Sequence, residues 1–387
     1  MKWEKVKLGD MTDSCLGKML DQQKNRGEFQ PYLANVNVRW GTFDLDDLPQ
    51  MRFEENEQER YGLRYGDLVV CEGGEPGRCA IWKEQIPNMK IQKALHRVRA
   101  HDGLDYRYLY YWFLWSGKRG ALEQYFTGAT IKHMPGQKLQ EVLIDKPPLE
   151  IQKRMADILS AYDNLIENNQ KQIKLLEEAA QRLYKEWFVD LRFPGYETTP
   201  VVDGVPEGWT RKQLIDVATV QYGYAFDGSL FNSIGNGMPI VRIRNIPSGN
   251  TGDYTTESAD IQYIIHNGDI LVGMDGEFHI NSWSGQDAYL VQRVCRIKPT
   301  NVGIAGYLLQ AIYEPIKYFE KTVVGATVAH LGKKHIDTIT LLIGPNKLYI
   351  PFQQYFDKRQ LLLNQNRLLS EARDRLLPKL MSGEIEV

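Results

Sequence analysis

The sequence predicts an α+β chain built from two copies of one globular domain and two long helices. Three observations carry that prediction. The hexapeptide "GATIKH" at Gly128–His133 returns as "GATVAH" at Gly325–His330. Two stretches without glycine carry heptads of apolar residues. The segments between them are broken by glycine into short strand-like and helix-like runs.

The repeat extends well beyond six letters. Upstream, "YGLRYGDLVV" is matched by "YIIHNGDILV", which aligns Gly66-Asp67 with Gly268-Asp269 and Gly74-Glu75 with Gly276-Glu277. Earlier still, "PYLANVNV" is matched by "PIVRIRNI", aligning Asn37 with Asn245, and downstream "PPLEIQKRMADIL" answers "YIPFQQYFDKRQLL", aligning Gln152 with Gln353. Each copy opens on a tryptophan segment, "KWEKVKLGD" or "GWTRKQLID". The hexapeptide glycines lie 197 positions apart, far beyond the roughly 20 to 50 residues of stacked solenoid repeats. A whole domain has therefore been written twice.

In the first copy, residues 1–147, "GDLVV" and "VLIDKP" have strand character and "DYRYLYYWFLW" that of a helix. From Asn88 to His101, "NMKIQKALHRVRAH" carries Lys90, Lys93, Arg97 and Arg99 with two histidines and no acid. It reads either as an element with one solvated basic face or as a surface that contacts phosphate.

The double proline Pro147-Pro148 opens the first helical region, 148–192. Leu159, Ile166, Ile173, Ala180 and Trp187 recur every seven residues, and Tyr162, Asn169, Leu176 and Leu183 form a second row. This is the spacing of a coiled coil, with Asn169 as a polar interruption that fixes register. Proline and glycine in "FPG" at 193–195 should stop it.

In the second copy, 193–347, "GDILVG" reads as a strand and "GIAGYLLQAIYEPIKYF" as a helix. "VRIRN" at 241–245 reads as a half-buried strand whose polar face carries Arg242 and Arg244. The closing region, 348–387, repeats the heptads at Tyr355, Leu362, Leu369 and Leu376, with Pro378 near its end. At the rise of an α-helix the two would measure about 60 and about 45 Å. Neither can bury its stripe alone, so they are expected to pair antiparallel within the chain; separate packing on each domain or homodimerisation is the other possibility.

Bulk composition narrows the class. The chain has 387 residues, 43% hydrophobic and 25% charged, enough for two domains with their own cores. Its most apolar run, "YLYYWFLW", is too short for a bilayer, and "MKWEKVKLGD" holds no signal core, which points to a cytoplasmic protein. Cys15, Cys71, Cys79 and Cys295 have no paired spacing and are expected as reduced thiols. A formal charge of −2 argues against polyanion binding over the whole surface, though not against a local patch.

No catalytic or metal motif is complete. "GATVAHLGKK" places six residues between Gly325 and Gly332 where a phosphate loop needs four, and no hydroxyl follows the lysine. "DKPPLE" lacks the aromatic and the adjacent acid-proline pair of an amino-methyltransferase loop, so it reads as a helix start. "DGE" at 275–277 lacks a nuclease lysine, and no HExxH or Cys/His cluster supports zinc. The chain alone is expected to catalyse nothing.

Two variable domains, each followed by a long helix entered through "PPLEIQKRM" or "PFQQYFDKR", together with "LSAYDNLIENNQKQIKLLEEAAQRLYKEWFVDLRFPG" and "LLNQNRLLSEARDRLLPKLMSGEIEV", resemble the specificity subunit of type I restriction-modification enzymes. The resemblance covers essentially the whole chain and is most specific in the helical regions. It implies two target recognition domains related by a pseudo-twofold axis, each reading one half of a bipartite duplex DNA site, with the antiparallel helices as a ruler for the gap. It also implies partners: two methyltransferase subunits that use S-adenosylmethionine, and restriction/translocase subunits that use ATP and Mg. No cofactor is implied for this chain. A specificity subunit of a type II system with one fused methyltransferase-nuclease partner fits the same residues, and from another class so does a coiled-coil scaffold with two protein-binding heads.

Arginine suits guanine and asparagine suits adenine, so Arg39, Arg52, Arg78, Arg242, Arg244 and Asn281 are candidates for base contact. Lys90, Lys93 and Arg97 are candidates for phosphate. In the repeated hexapeptides, Thr130, His133, Thr327 and His330 either shape a turn or touch phosphate. Partner subunits are expected on the helical stripe of Leu159, Ile166, Ile173, Leu176, Leu183, Leu362, Leu369 and Leu376.

Overall fold

The computed structural model describes residues 3–21, 25–301, 303–323 and 329–387. The chain forms two compact units, Met1–Asn164 with Ser370–Val387, and Leu165–Leu369. Both are mixed helix and sheet, and each contains one copy of the repeat.

In the first unit a four-stranded antiparallel sheet is ordered Thr12–Leu16, Leu95–Ala100, Leu68–Cys71, Cys79–Ile81. In the second the same order is kept by Ala218–Tyr222, Val294–Pro299, Ile270–Gly273 and Ile280–Ser282. A short parallel pair recurs as well, Glu28–Leu33 with Lys90–Ile91 and Met238–Val241 with Ala288–Leu290. The domain-opening strands Glu4–Lys7 and Thr210–Gln213 pair with Leu143–Lys146 and Thr340–Ile343.

The repeated letters have local physical reasons. Gly66 and Gly268 have φ of 87° and 93°, conformations open to glycine. The aspartate that follows closes the turn: Asp67 Oδ2 accepts the Arg64 N–H at 2.7 Å, and Asp269 Oδ2 accepts that of His266 at 2.9 Å. Asn37 and Asn245 cap matching 3-10 turns, their Oδ1 atoms accepting the N–H of Ala34 and Arg242, each at 2.9 Å. Gly17 and Gly223 lie where the chain passes over a neighbouring backbone; a Cβ would come within 2.4 Å of Gln92 O or 2.2 Å of Val291 O.

"GDLVV", "GDILVG" and "VLIDKP" are strands, as their patterns predict, and "DYRYLYYWFLW" is the helix Tyr106–Lys118. "GIAGYLLQAIYEPIKYF" instead forms two helices, Ala305–Ala311 and Tyr313–Thr322, with Pro315 in the first turn of the second, where its missing N–H costs no helical bond. "VRIRN" is not a strand throughout: the strand ends at Val241 and Ile243–Asn245 is a 3-10 turn, because the Asn245 side chain draws the backbone round.

The central helix runs Leu149–Tyr184 and finishes in a π-helical turn, Lys185–Val189, before Gly195 at φ 96°. The terminal helix is Ile350–Met381. In the first unit Arg373 and the Tyr111 hydroxyl both donate to Asp163, and Leu159 shares a core with Leu377 and Leu380. In the second unit Asn169 donates to Asn366 at 2.9 Å and Arg359 to Glu177 at 2.6 Å. Partner numbers fall there as the central helix rises, so the two helices run antiparallel within that unit. Asn169 is buried, as a register-fixing polar pair requires.

Candidate nucleic-acid interface

Three loops lie edge to edge at one end of the sheet in each unit, joined by backbone hydrogen bonds. In the first unit these are the turn Gln92–Leu95, the Gly-Glu loop that starts at Glu72, and the loop carrying "GATIKH". The Glu72 N–H donates to Ala94 O at 2.8 Å, the Met134 N–H donates to Glu72 O at 2.8 Å, and Gly73 bridges His133. In the second unit the Met274 N–H donates to Arg293 O at 2.9 Å, the Leu331 N–H to Met274 O at 2.8 Å, and Asp275 bridges His330. The same frame is therefore built twice by main-chain bonds alone.

The first hexapeptide is a closed, exposed loop. Thr127 and His133 exchange N–H···O bonds at 2.8 and 2.9 Å, and Gly128, at φ 93°, has Ile131 O only 2.2 Å from where a Cβ would stand. Thr130, Ile131, Lys132 and His133 are all exposed. Lys93 is exposed on the adjoining turn. Beneath them the buried His96 sets Nε2 2.9 Å from Met134 O. Burial pushes its imidazole below the ordinary histidine range, and the Met134 carbonyl partly opposes this.

In the second unit the Asp275 carboxylate has two partners, His330 Nδ1 at 2.6 Å and Arg293 Nη1 at 3.4 Å. Both partner side chains remain about half exposed, 48% and 57%. Burial and the charges of Lys334 and His330 together hold His335 below its usual range. Thr327 lies outside the described residues.

The structure thus gathers Lys93, Thr130 and His133 in one cluster and places His330 in its counterpart. Other candidates are committed elsewhere. Arg97 is 4% exposed and donates to Asp13 at 2.6 Å and to Glu59 O at 3.0 Å; Lys90 is buried with its ammonium on Asn88 O. Neither reaches solvent, so the basic run at 88–101 is not a continuous phosphate surface: these cations are taken by acceptors of the domain itself, Arg99 as well through Asp67. Asn281 is likewise no base reader, because its Nδ2 donates to Ile246 O and Pro247 O and its Oδ1 accepts from Arg359 at 2.8 Å.

Arg78 braces the Gly-Glu loop through Glu75 and Asn35 O, each at 3.0 Å. Arg39 is half exposed with a donor on Val36 O, and Arg52 covers the exposed Phe29 ring at 4.4 Å. Arg242 lies 5.7 Å from the Phe231 ring, and Arg244 is paired with Asp253 through two nitrogens. These four stand outside the loop cluster's hydrogen-bonded frame. Sequence reasoning missed Lys132, Arg293 and Asp275. The alignment of "QKAL" with "VQRV" marks the turn, but no residue type there announces a positive φ.

The helical stripe expected to hold partners faces inward. Leu159, Ile173 and Leu362 are buried in this chain, and Ile166, Leu176, Leu183, Leu369 and Leu376 are half-buried. They join the chain's own helices and cores, because a stripe at heptad spacing is consumed by the helix beside it. Leu165, Leu175, Leu361 and Leu368 are the exposed leucines of these helices, at 52%, 64%, 49% and 49%.

Among the described residues no group of three or more His, Cys, Asp or Glu is placed to hold a metal ion, and no helix is long and apolar enough to cross a membrane. All four cysteines are free thiols.

Comparison with known proteins agrees with this duplicated layout. A family model described as the type I restriction modification DNA specificity domain matches residues 1–178 and 206–367. The chain is 28% identical over 83% of its length to the type I restriction enzyme MjaIX specificity subunit of Methanocaldococcus jannaschii, covering 78% of that protein. It is 27% identical over 76% of its length to the MjaVIII specificity subunit of the same organism, covering 70% of it. The fold is similar to the crystal structure of a type I restriction-modification system S subunit from M. genitalium, with a TM-score of 0.56 at 16% identity, over 98% of this chain and 96% of that one. The chain belongs to the family of type I restriction-modification DNA specificity subunits.

Proposed function

We propose that this chain reads DNA for a type I restriction-modification complex and performs no chemistry itself. Its two target recognition domains, within 1–147 and 193–347, are related by a pseudo-twofold axis and each take one half of a bipartite duplex site. The helical regions 148–192 and 348–387 act as the antiparallel spacer that fixes the gap. Two methyltransferase subunits dock on the helices and bring S-adenosylmethionine; restriction/translocase subunits bring ATP and Mg.

The observation that carries this reading is the loop cluster built twice on the same sheet, with exposed Lys93, Lys132 and His133 in one copy and Arg293 and His330 in the other. Cations on such loops meet phosphates and base edges, phosphate contacts setting orientation and base contacts setting sequence. A frame held by backbone bonds lets the side chains differ between copies, so one chain can read two unlike half-sites, where a symmetric dimer is confined to a palindrome.

The test is a genome-wide map of methylated adenines in cells carrying this chain with its methyltransferase, beside cells with the methyltransferase alone. A two-part motif with one fixed gap that appears only with the chain is the expected result. An unchanged map, with assembly and methyltransferase competence shown, would leave the scaffold reading in its place.

A further inference from the structure

We propose that Arg293 is a specificity-determining residue of the second domain, presenting its guanidinium to the O6 and N7 edge of a guanine in the major groove; this rests on the DNA-reading function proposed above.

The backbone supplies the first argument. Arg293 has φ 73° in a turn closed by the Val294 N–H on Val291 O at 3.2 Å. Glycine is the usual occupant of a left-handed turn position, and an arginine there is under strain that its surroundings must hold. They do: Arg293 O accepts the Met274 N–H at 2.9 Å, and Gln292 N–H donates to Tyr224 O at 2.8 Å. Those flanking bonds fix the direction in which the side chain leaves the turn.

The side chain supplies the second. It is 57% exposed, and its one ionic contact among the described residues is Asp275 at 3.4 Å. Arginine carries five N–H donors, so a forked pair remains available to a base edge. Asp275 is itself fixed by His330 at 2.6 Å, which gives the guanidinium an anchored neighbour. Two other arginines of this unit are occupied: Arg244 by Asp253 through two nitrogens, and Arg296 by Asp269, Gln221 and the carbonyls of Ile264 and Gln262.

The first unit supplies the third. Its matching turn, closed by the Leu95 N–H on Gln92 O at 3.2 Å, carries Ala94 at φ 87°, and Gly73 stands where the second unit has Asp275. Frame and strain are kept while the reading group and its anchor are absent. A position with constant backbone and changed chemistry is where two half-sites would come to differ.

Arg293→Gly tests this cleanly, because glycine takes the left-handed conformation without strain and the turn should survive. The full chain, wild type, R293G or R293K, is expressed with its methyltransferase, and methylated adenines are mapped. The expected result is a motif in which one guanine of one half-site becomes degenerate in R293G, its preference falling about 10- to 100-fold. R293K should keep part of the preference, and the other half-site and the gap should be unchanged. An unaltered motif in R293G overturns the proposal. So does an equal loss of methylation at every site with the motif intact, which marks a phosphate contact. If the wild-type chain yields no motif at all, the DNA-reading function falls first and this inference with it.

Discussion

The two units place different side chains on one frame. At the turn, the Gly-Glu loop and the Gly-Ala-Thr loop, the first unit has Ala94, Gly73 and His133, and the second has Arg293, Asp275 and His330. The main-chain bonds between the loops match within 0.1 Å, 2.8 and 2.8 Å against 2.9 and 2.8 Å. Recognition chemistry has been varied without touching what holds the loops. The units also grip the helices differently. In the second, Arg359 of the terminal helix, 9% exposed, donates to Glu177, Ser282 and Asn281 at 2.6, 2.6 and 2.8 Å, and Gln360 donates to Trp283 O. An arginine thus binds the sheet's edge strand to both helices. In the first unit the strand register sets Ala80 at the place of Asn281, and the grip passes through Tyr111 and Arg107 to Asp163 and Asp157.

The largest effect should come from breaking the arginine grip. Arg359→Met leaves the buried Ser282 Oγ without its donor and Asn281 Oδ1 with the Ser282 N–H alone, while Glu177, 41% exposed, stays open to solvent. The expected loss is about 2–3 kcal/mol from charge-assisted hydrogen bonds, confined to the second unit. Hydrogen exchange should show Ile280–Ser282 losing protection while Cys79–Ile81 keeps it; equal protection in both would dissolve the contrast.

A smaller effect sharpens a difference in acid response. His96 and Cys295 occupy the same sheet position, opposite Val70 and Val272. Burial pushes the Cys295 thiol up to about 12, so it does not titrate near neutrality. His96 is held below the ordinary histidine range by burial, so the unfolded chain binds its proton more readily than the folded one. The stability it contributes is complete above the unfolded value and is lost as pH falls through the folded value. Acidification from about pH 7 to about pH 5 should therefore weaken the first unit, and His96→Gln should flatten that slope in pH-dependent unfolding. An identical slope in the variant would remove His96 as its cause.

Much of this architecture is legible in the letters because each repeated residue has a local duty. Gly66-Asp67 closes a turn, Asn37 caps one, and Gln152 accepts the Asp105 N–H while donating to Pro147 O. Heptads announce the helices for the same reason: burial on one face imposes the period. The interface was less legible. Arg97 and Asn281 are residue types that suit DNA contacts, but Asp13 on the neighbouring strand and a helix arginine absorb them. Arg293 looked ordinary, since its positive φ and its pairing with Asp275 come from contacts between loops that no short pattern encodes.

Each copy is proposed to read its own half-site. Replacing residues 1–147 with the corresponding segment of a relative that has a different methylated motif, then mapping methylated adenines with the methyltransferase present, tests this most directly. One half of the motif should change to the relative's while the other half and the gap persist. A change in both halves, or in neither, with the hybrid assembled and active, would contradict it.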